Sequence, residues 1–354
     1  MFLKSIERKF KRTLIKVLSG LSAPQKVTVD DLRSMKLNNI AVVRQDNRIG
    51  NLVFLIPLIK ALHEDFSSAK IDVITGYKYG DILTRVKEID EIICFNQKKA
   101  LLNPNYFLSF RKQLKKKEYD LVIDAGNMGS LSTNNILTGA LCGGKVYAGY
   151  DRKESSSFLS LSIPPIDYDQ HESQLFLNIA NFISGKKRTL YPRINTTKGE
   201  SGEALKVLGD LGYGERVRKI GIHVGGRYRK RWELDNFLKL ADELSSRGNV
   251  ILLFSGPDES KLFENRNLDN KDGIIHFRSP PLGLLIGLIS KCELFITGDN
   301  GPLHLAAALA VPCVQIFIVD NWKRYGYTDA PHRIVMPLEP SYEKVRSAVM
   351  ESLN

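Results

Sequence analysis

An α/β fold with two doubly wound parallel-sheet domains in series is what this chain predicts, and three observations carry that expectation. From residue 39 onward, short β-branched runs alternate with longer segments of helical period, the pattern of βαβ units whose parallel sheet is covered on both faces. The alternation runs twice, separated by a polar, Lys-rich stretch at 186–200 that contains Pro192 and Gly199. The length of 354 residues also exceeds the roughly 100–200 of one ordinary domain.

The elements follow in order. In the first half the expected strands are NIAVVR (39–44), KIDVIT (70–75), EIICF (91–95), YDLVID (119–124) and KVYAGY (145–150). Helical patterns near 51–66, 78–87, 104–117 and 130–141 lie between them, and a long helix at 171–185 closes the half. In the second half the strands are KIGIHV (219–224), NVILLF (249–254), GIIHF (273–277), ELFIT (293–297) and CVQIFI (313–318). The expected divisions are a leader at 1–25, a first domain at 26–190 and a second at 191–338. A final helix at 339–354 is expected to pack back on the first domain. Two such domains leave a cleft, and open α/β sheets bind ligands beyond the carboxyl ends of their strands. Function is therefore sought in the loops after the strands.

Composition excludes several classes. With 43% hydrophobic and 25% charged residues the chain is globular, neither disordered nor fibrous. The longest apolar stretches, 52–62, 280–290 and 304–319, fall short of the roughly 18–20 residues of a spanning helix. Cys94, Cys142, Cys292 and Cys313 form no CxxC pair, so neither a zinc ribbon nor a disulfide scaffold is expected, and a reducing cytosol fits. His63, His171, His276 and His332 lack HxxxH or HExxH spacing, so no metal site is expected.

The formal charge is +12 and the pI about 9.4. Six basic residues against Glu7 alone place +5 within residues 1–20, and Leu3, Ile6, Phe10, Leu14, Val17, Leu18 and Leu21 recur there and just beyond at helical spacing. Such a leader suits an anionic membrane surface, and equally a solvated or core-packed amphipathic helix. The run RKQLKKKE (111–118) reads as a solvated helix face, or as an attractor for a phosphorylated glycolipid. Nucleic acid is not an expected partner, because the basic residues are not interleaved with aromatics and no nucleic-acid module motif occurs.

Three loops carry the chemistry. GDNGPLHLAAAL (298–309) follows an apolar strand and opens a helix. Pro302 suits its first turn and Asp299 or Asn300 its cap, while the free N–H groups and the helix dipole favour an anion. HVGGRYRKRW (223–232) also follows a strand, and its Gly-Gly pair permits backbone approach to a diphosphate beside Arg227, Arg229, Lys230 and Arg231. FSGPDES (254–260) offers Asp258 and Glu259, which can accept hydrogen bonds from ribose hydroxyls or cap a helix.

Together these loops resemble glycosyltransferase family nine, the heptosyltransferase-like enzymes of GT-B fold, from about residue 39 to 335. The family pattern D-[ST]-G-x-x-H-x-x-A-A is matched by Asp299, Gly301, His304, Ala307 and Ala308, with Asn300 at its Ser/Thr position, and WKRYGYTDAPHRIV (322–335) is similar to the family's Trp/Tyr-Gly/His segment. The resemblance implies a nucleotide-diphospho sugar donor, most familiarly ADP-heptose, and inverting, metal-independent transfer without a cofactor. It places the diphosphate on Gly225, Gly226 and Lys230, and the ribose on Glu259. Phosphates and donor sugar fall to Asp299, Asn300, Gly301 and His304, and the base lies against backbone near Pro280–Leu282.

RQDNRIGNLVFLIPLIKAL (44–62) resembles the family's first strand, glycine turn and first helix. The residue after that glycine is commonly Asp in the family and is its proposed general base; here it is Asn51. An amide has no basic lone pair near neutral pH, so the candidate base is Asp46, the nearest carboxylate of the loop, which reads also as a cap or turn residue, with Asn51 orienting an acceptor hydroxyl. The resulting expectation is sugar transfer to an anionic saccharide or glycolipid of the cell surface, at the inner face of the cytoplasmic membrane. A binding module without catalysis, or a sugar-nucleotide epimerase on the same fold, is the alternative.

Overall fold

The computed structural model describes residues 24–130, 132–152, 155–214, 217–226, 230–263, 273–329, 331–336 and 340–353, with the Leu101 side chain excepted. The leader at 1–20 lies outside them, as do Arg227 and Arg229. The chain divides into two compact units, one of residues 1–168 and 173–191, the other of 169–172 and 192–354. Among the described residues no helix is long and apolar enough to cross a membrane.

The first unit contains β1 (Asn39–Arg44), β2 (Lys70–Gly76), β3 (Glu91–Phe95), β4 (Leu121–Asp124), β5 (Val146–Tyr150) and β6 (Leu161–Ile163). They form one parallel sheet in the order β3-β2-β1-β4-β5-β6. Ile40, Ala41, Val42 and Val43 are wholly buried, as expected of a central strand covered on both faces. The sixth strand was not expected: three residues are too few to show a period. The helical pattern over 51–66 divides into Ile49–Val53 and Ile56–Asp65. Pro57 causes the break, because it lacks an N–H and its ring crowds the carbonyl four residues back. Residues 80–85 form a 3₁₀ turn where a helix was expected, and a short helix, Gln97–Leu102, precedes Pro104–Lys115.

The second unit repeats the plan with β7 (Lys219–His223), β8 (Val250–Ser255), β9 (Ile274–Arg278), β10 (Leu294–Gly298), β11 (Cys313–Ile316) and β12 (Arg333–Val335). The order is β12-β11-β10-β7-β8-β9, again parallel throughout. The final helix, Tyr342–Leu353, corrects an expectation: its buried Val345 and Val349 join Ile220, Ile222, Val314, Ile316 and Val335 in the core of the second unit. Arg346 fixes it by pairing with Glu243 at 2.7 Å, and the Trp232 indole donates to the Pro340 carbonyl at 2.9 Å. An apolar stripe on a helix demands a partner surface, and the sheet nearest in sequence supplies it. Residues 169–172 also belong here: Lys323 and Arg324 pair with Asp169 and Glu172 at 2.6 and 2.5 Å, and the His171 ring lies 4.7 Å from that of Tyr327.

Each sheet reverses its winding between its first and fourth strands. Loops leaving a strand pair of that kind diverge to opposite faces and open a crevice, where open α/β sheets bind ligands. The crevices lie beyond β1 and β4 in one unit and beyond β7 and β10 in the other.

Candidate functional site

In the first unit the crevice is lined by the loop that follows Arg44. Asp46 and Asn51 meet there, with the Asn51 amide donating to Asp46 Oδ2 at 2.6 Å. Arg44 approaches the same oxygen at 3.3 Å and also donates to the Ala125 carbonyl and to Asn127 Oδ1, each at 2.8 Å. Its guanidinium is almost fully buried and stacks over Phe176. Asp46 retains about a fifth of its side-chain exposure, so the carboxylate is held by two donors yet open to a substrate. Gly76 lets the loop lie over β2, since a Cβ there would fall 2.5 Å from the Asp46 carbonyl oxygen.

Beneath this loop is a buried polar frame. Asp124, at the end of β4, pairs with Arg152 at 2.5 Å and accepts from Asn135 Nδ2 and the Gly126 N–H, each at 2.9 Å. Arg152 also donates to the carbonyls of Asn127 and Gly126, at 2.6 and 2.8 Å. Asn135 in turn accepts the Gln45 N–H at 2.7 Å and donates to the Val43 carbonyl at 2.9 Å. The backbone entering Asp46 is thus tied to β4 and β5. Sequence reasoning missed Asp124 and Arg152, although an apolar strand ending in Asp, followed by Ala-Gly-Asn, was a signal.

In the second unit the structure gathers the expected residues at the ends of β7, β8 and β10. Lys230 Nζ lies 2.5 Å from Asp299 Oδ2, which also accepts from Asn321 Nδ2 at 2.8 Å. The Lys230 side chain is about a third exposed, and its ammonium stands 5.5 Å from the Tyr325 ring centre. Asn300 is a strut between loops. Its Oδ1 caps the helix Gly301–Ala308 by accepting the Leu303 N–H at 3.2 Å, and its amide donates to the Gly225 carbonyl at 2.7 Å and to Thr297 Oγ1 at 2.8 Å. A Cβ on Gly225 would sit 2.3 Å from the His223 ring and 3.1 Å from Glu259 Oε2, and one on Gly226 would sit 3.0 Å from Arg231 Cα. The glycines thus keep this backbone thin. Glu259 is buried, and its Oε2 accepts the Gly256 N–H at 2.9 Å. Near it, a cavity of about 240 Å³ is lined by Ser255, Gly256, Ser260, Phe263, Arg278 and Ser279, adjoining Pro280.

His223, His304 and His171 of this unit are held neutral at pH 7. His223 Nδ1 faces two donors, the Gly225 N–H at 3.1 Å and the Asn300 amide at 3.2 Å, and so must be unprotonated. Burial pushes His223 down to about 4; burial likewise takes His304, with Tyr327 Oη 3.2 Å from its Nδ1, to about 4. His171 falls to about 3, through burial first and the neighbouring His304 second. Unfolded histidine takes up its proton near 6.5, so from there down to about 4 the unfolded state binds more protons and stability falls with pH. Each histidine steepens that loss by up to about 1.4 kcal/mol per pH unit. Urea unfolding of the second unit is expected to have a clearly lower midpoint at pH 5 than at pH 7; equal midpoints would mean that these rings are not held neutral.

Two parallel six-stranded sheets, each with its crevice at the winding reversal, define a two-domain, doubly wound α/β protein. Comparison with known proteins makes the class particular. Residues 107–353 match the model of glycosyltransferase family 9 (heptosyltransferase), and the chain belongs to that family. Lipopolysaccharide heptosyltransferase 3 of Escherichia coli is 25% identical over 288 residues, 76% of this chain and 80% of that one. Among solved structures, a glycosyl transferase family 9 protein from Veillonella parvula superposes with a TM-score of 0.80 at 18% identity, covering 90% of this chain and 98% of that one. The E. coli ADP-heptose lps heptosyltransferase II does so with a TM-score of 0.71 at 18% identity, covering 88% and 97%. Both share the fold, two parallel-sheet α/β domains of GT-B type.

Proposed function

We propose that this glycosyltransferase moves a heptose from ADP-heptose to an anionic saccharide or glycolipid acceptor of lipopolysaccharide, with inversion and without a metal, at the inner face of the cytoplasmic membrane. The observation that carries the reading is the meeting of Lys230, Asp299 and the start of helix Gly301–Ala308 beside the Gly225-Gly226 backbone. An acceptor hydroxyl attacks the anomeric carbon and the bond from that carbon to the diphosphate oxygen breaks, so negative charge grows on the leaving group. In this reading Lys230 and the N–H groups of the helix terminus receive that charge. Gly225 and Gly226 admit the phosphates, Glu259 accepts from the ribose, and the base occupies the cavity bounded by Ser255 and Ser279 near Pro280. Asp299 and His304 contact the donor sugar or its phosphates, and the neutral imidazole acts as a hydrogen-bonding group. Asn300 acts through the loops it joins.

Asp46 takes the acceptor proton, and Asn51 holds its carboxylate in place. General-base removal costs about 10²–10⁴ in rate, so Asp46→Asn is expected to lose at least a hundredfold in turnover while keeping its melting temperature; full activity would remove Asp46 from this role. Donor class is tested by the melting temperature with ADP, UDP and GDP. A ligand at a hundred times its Kd stabilises the folded state by about 2.7 kcal/mol, and only ADP is expected to do so. Asn51 is the one feature favouring a binding module without catalysis; that reading requires donor binding with no product from any acceptor.

A further inference from the structure

The two consecutive helices Gln97–Leu102 and Pro104–Lys115 carry charge that the rest of the first unit does not neutralise. From 97 to 117 the sequence holds seven basic residues and no acidic one. The first twenty residues hold six basic and one acidic, so these two segments account for the whole +12 and the remainder of the chain balances. Lys117 is compensated by Asp72 and Glu91, at 2.9 and 2.5 Å. Lys98, Lys99, Arg111, Lys112, Lys115 and Lys116 are exposed and make no ion pair among the described residues; Lys99 lies over the Tyr106 ring.

Two leucines stand among these cations. Leu102 is 87% exposed and Leu108 55%. On a helix, residues three, four and seven apart share a face. Leu102 therefore shares its face with Lys98 and Lys99, and Leu108 shares its own with Arg111, Lys112 and Lys115. The opposite face of the second helix is the buried one, with Phe110 and Leu114 in the core and Phe110 stacked on Phe95 at 4.2 Å. A solvated face accounts for the cations and leaves the leucines unexplained. A single-stranded nucleic-acid surface needs aromatic rings turned outward for stacking, whereas here Phe110 is buried and Tyr106 and Phe107 pack against the same core. Protruding leucines fringed by lysine and arginine suit the boundary between lipid headgroups and acyl chains.

We propose that this face docks on an anionic lipid bilayer, Leu102 and Leu108 entering the headgroup boundary while the six cations lie over lipid phosphates. The inference rests on the membrane-surface reading above only for the nature of the partner, and it names a surface separate from the leader. Flotation of the full chain with phosphatidylcholine vesicles, with and without about one phosphatidylglycerol in three, tests it. Wild type is expected to bind only the anionic vesicles, and less tightly in about 0.5 M salt than in about 0.1 M. Each cation near such a surface is worth a factor of about five, so Arg111→Glu with Lys112→Glu is expected to weaken binding at least about tenfold. Leu102→Ser with Leu108→Ser is expected to weaken it about tenfold as well. All substituted positions are exposed, and the melting shift with ADP, measured in parallel, is expected to stay unchanged in both variants. No binding by wild type would overturn both the surface and the membrane reading. Equal binding by wild type and variants would overturn this surface alone and leave the leader as the contact. Loss on charge reversal but not on leucine replacement would mark a general polyanion surface, such as one for RNA, and overturn the bilayer assignment.

Discussion

Lys230→Ala is expected to lower turnover about 10²- to 10³-fold with donor saturating, the range found when a single preorganised donor to a developing negative charge is removed. The physical reason lies in what Lys230 does at rest. Its ammonium is held 2.5 Å from Asp299 and about a third of the side chain is exposed, so the pair contributes little to folding. Its electrostatic value is realised on a leaving diphosphate, where charge increases during the reaction. Urea unfolding of the variant is therefore expected to match wild type, with a single-turnover assay showing the loss. A variant with unchanged turnover would remove Lys230 from leaving-group stabilisation.

Asp124→Ala is expected to act in the opposite way, on stability first. The carboxylate is wholly buried and faces Arg152, whose side chain is 4% exposed. Removing one partner of a buried pair leaves the other charge uncompensated, at about 3–5 kcal/mol. Arg152 would keep its bonds to the Asn127 and Gly126 carbonyls, which cannot neutralise it. The damage is also expected to reach the reaction, because Asn135 loses an acceptor while carrying the backbone of Gln45, the residue before Asp46. Urea unfolding of the first unit, read alongside acceptor KM, checks both effects. Wild-type stability would show that Arg152 finds a substitute partner or enters water.

Much of the fold was legible in the sequence because a parallel sheet writes itself as repeated apolar runs. The ten strands read from those runs stand in the structure with ends moved by a residue or two, and the loops after β7, β8 and β10 converge. The three-residue edge strands at 161–163 and 333–335 were not legible, since their pairing depends on a neighbour already in place. Pro57 was visible, and the break it makes in 51–66 was available from the residue alone. The final helix shows the limit of pattern reading: the stripe of Val345 and Val349 announces that one face must be buried and says nothing about which surface buries it.

The same division runs through the candidate site. Residue types and their order determined the two doubly wound sheets, the glycine-lined loops, the helix start at Gly301 and the resemblance to family nine, because these depend on local propensity and on a spacing the chain carries with it. Tertiary structure decided the partnerships: Asn51 with Asp46, Asn300 as the strut between two loops, and Asp124 with Arg152 under the first crevice. Asn300 and Asp124 reach partners brought near by the pairing of strands distant in sequence, while Asn51 and Asp46, five residues apart, meet through the fold of their own turn. Hydrogen bonds and buried charges depend on distances of a few ångströms, which no linear pattern records.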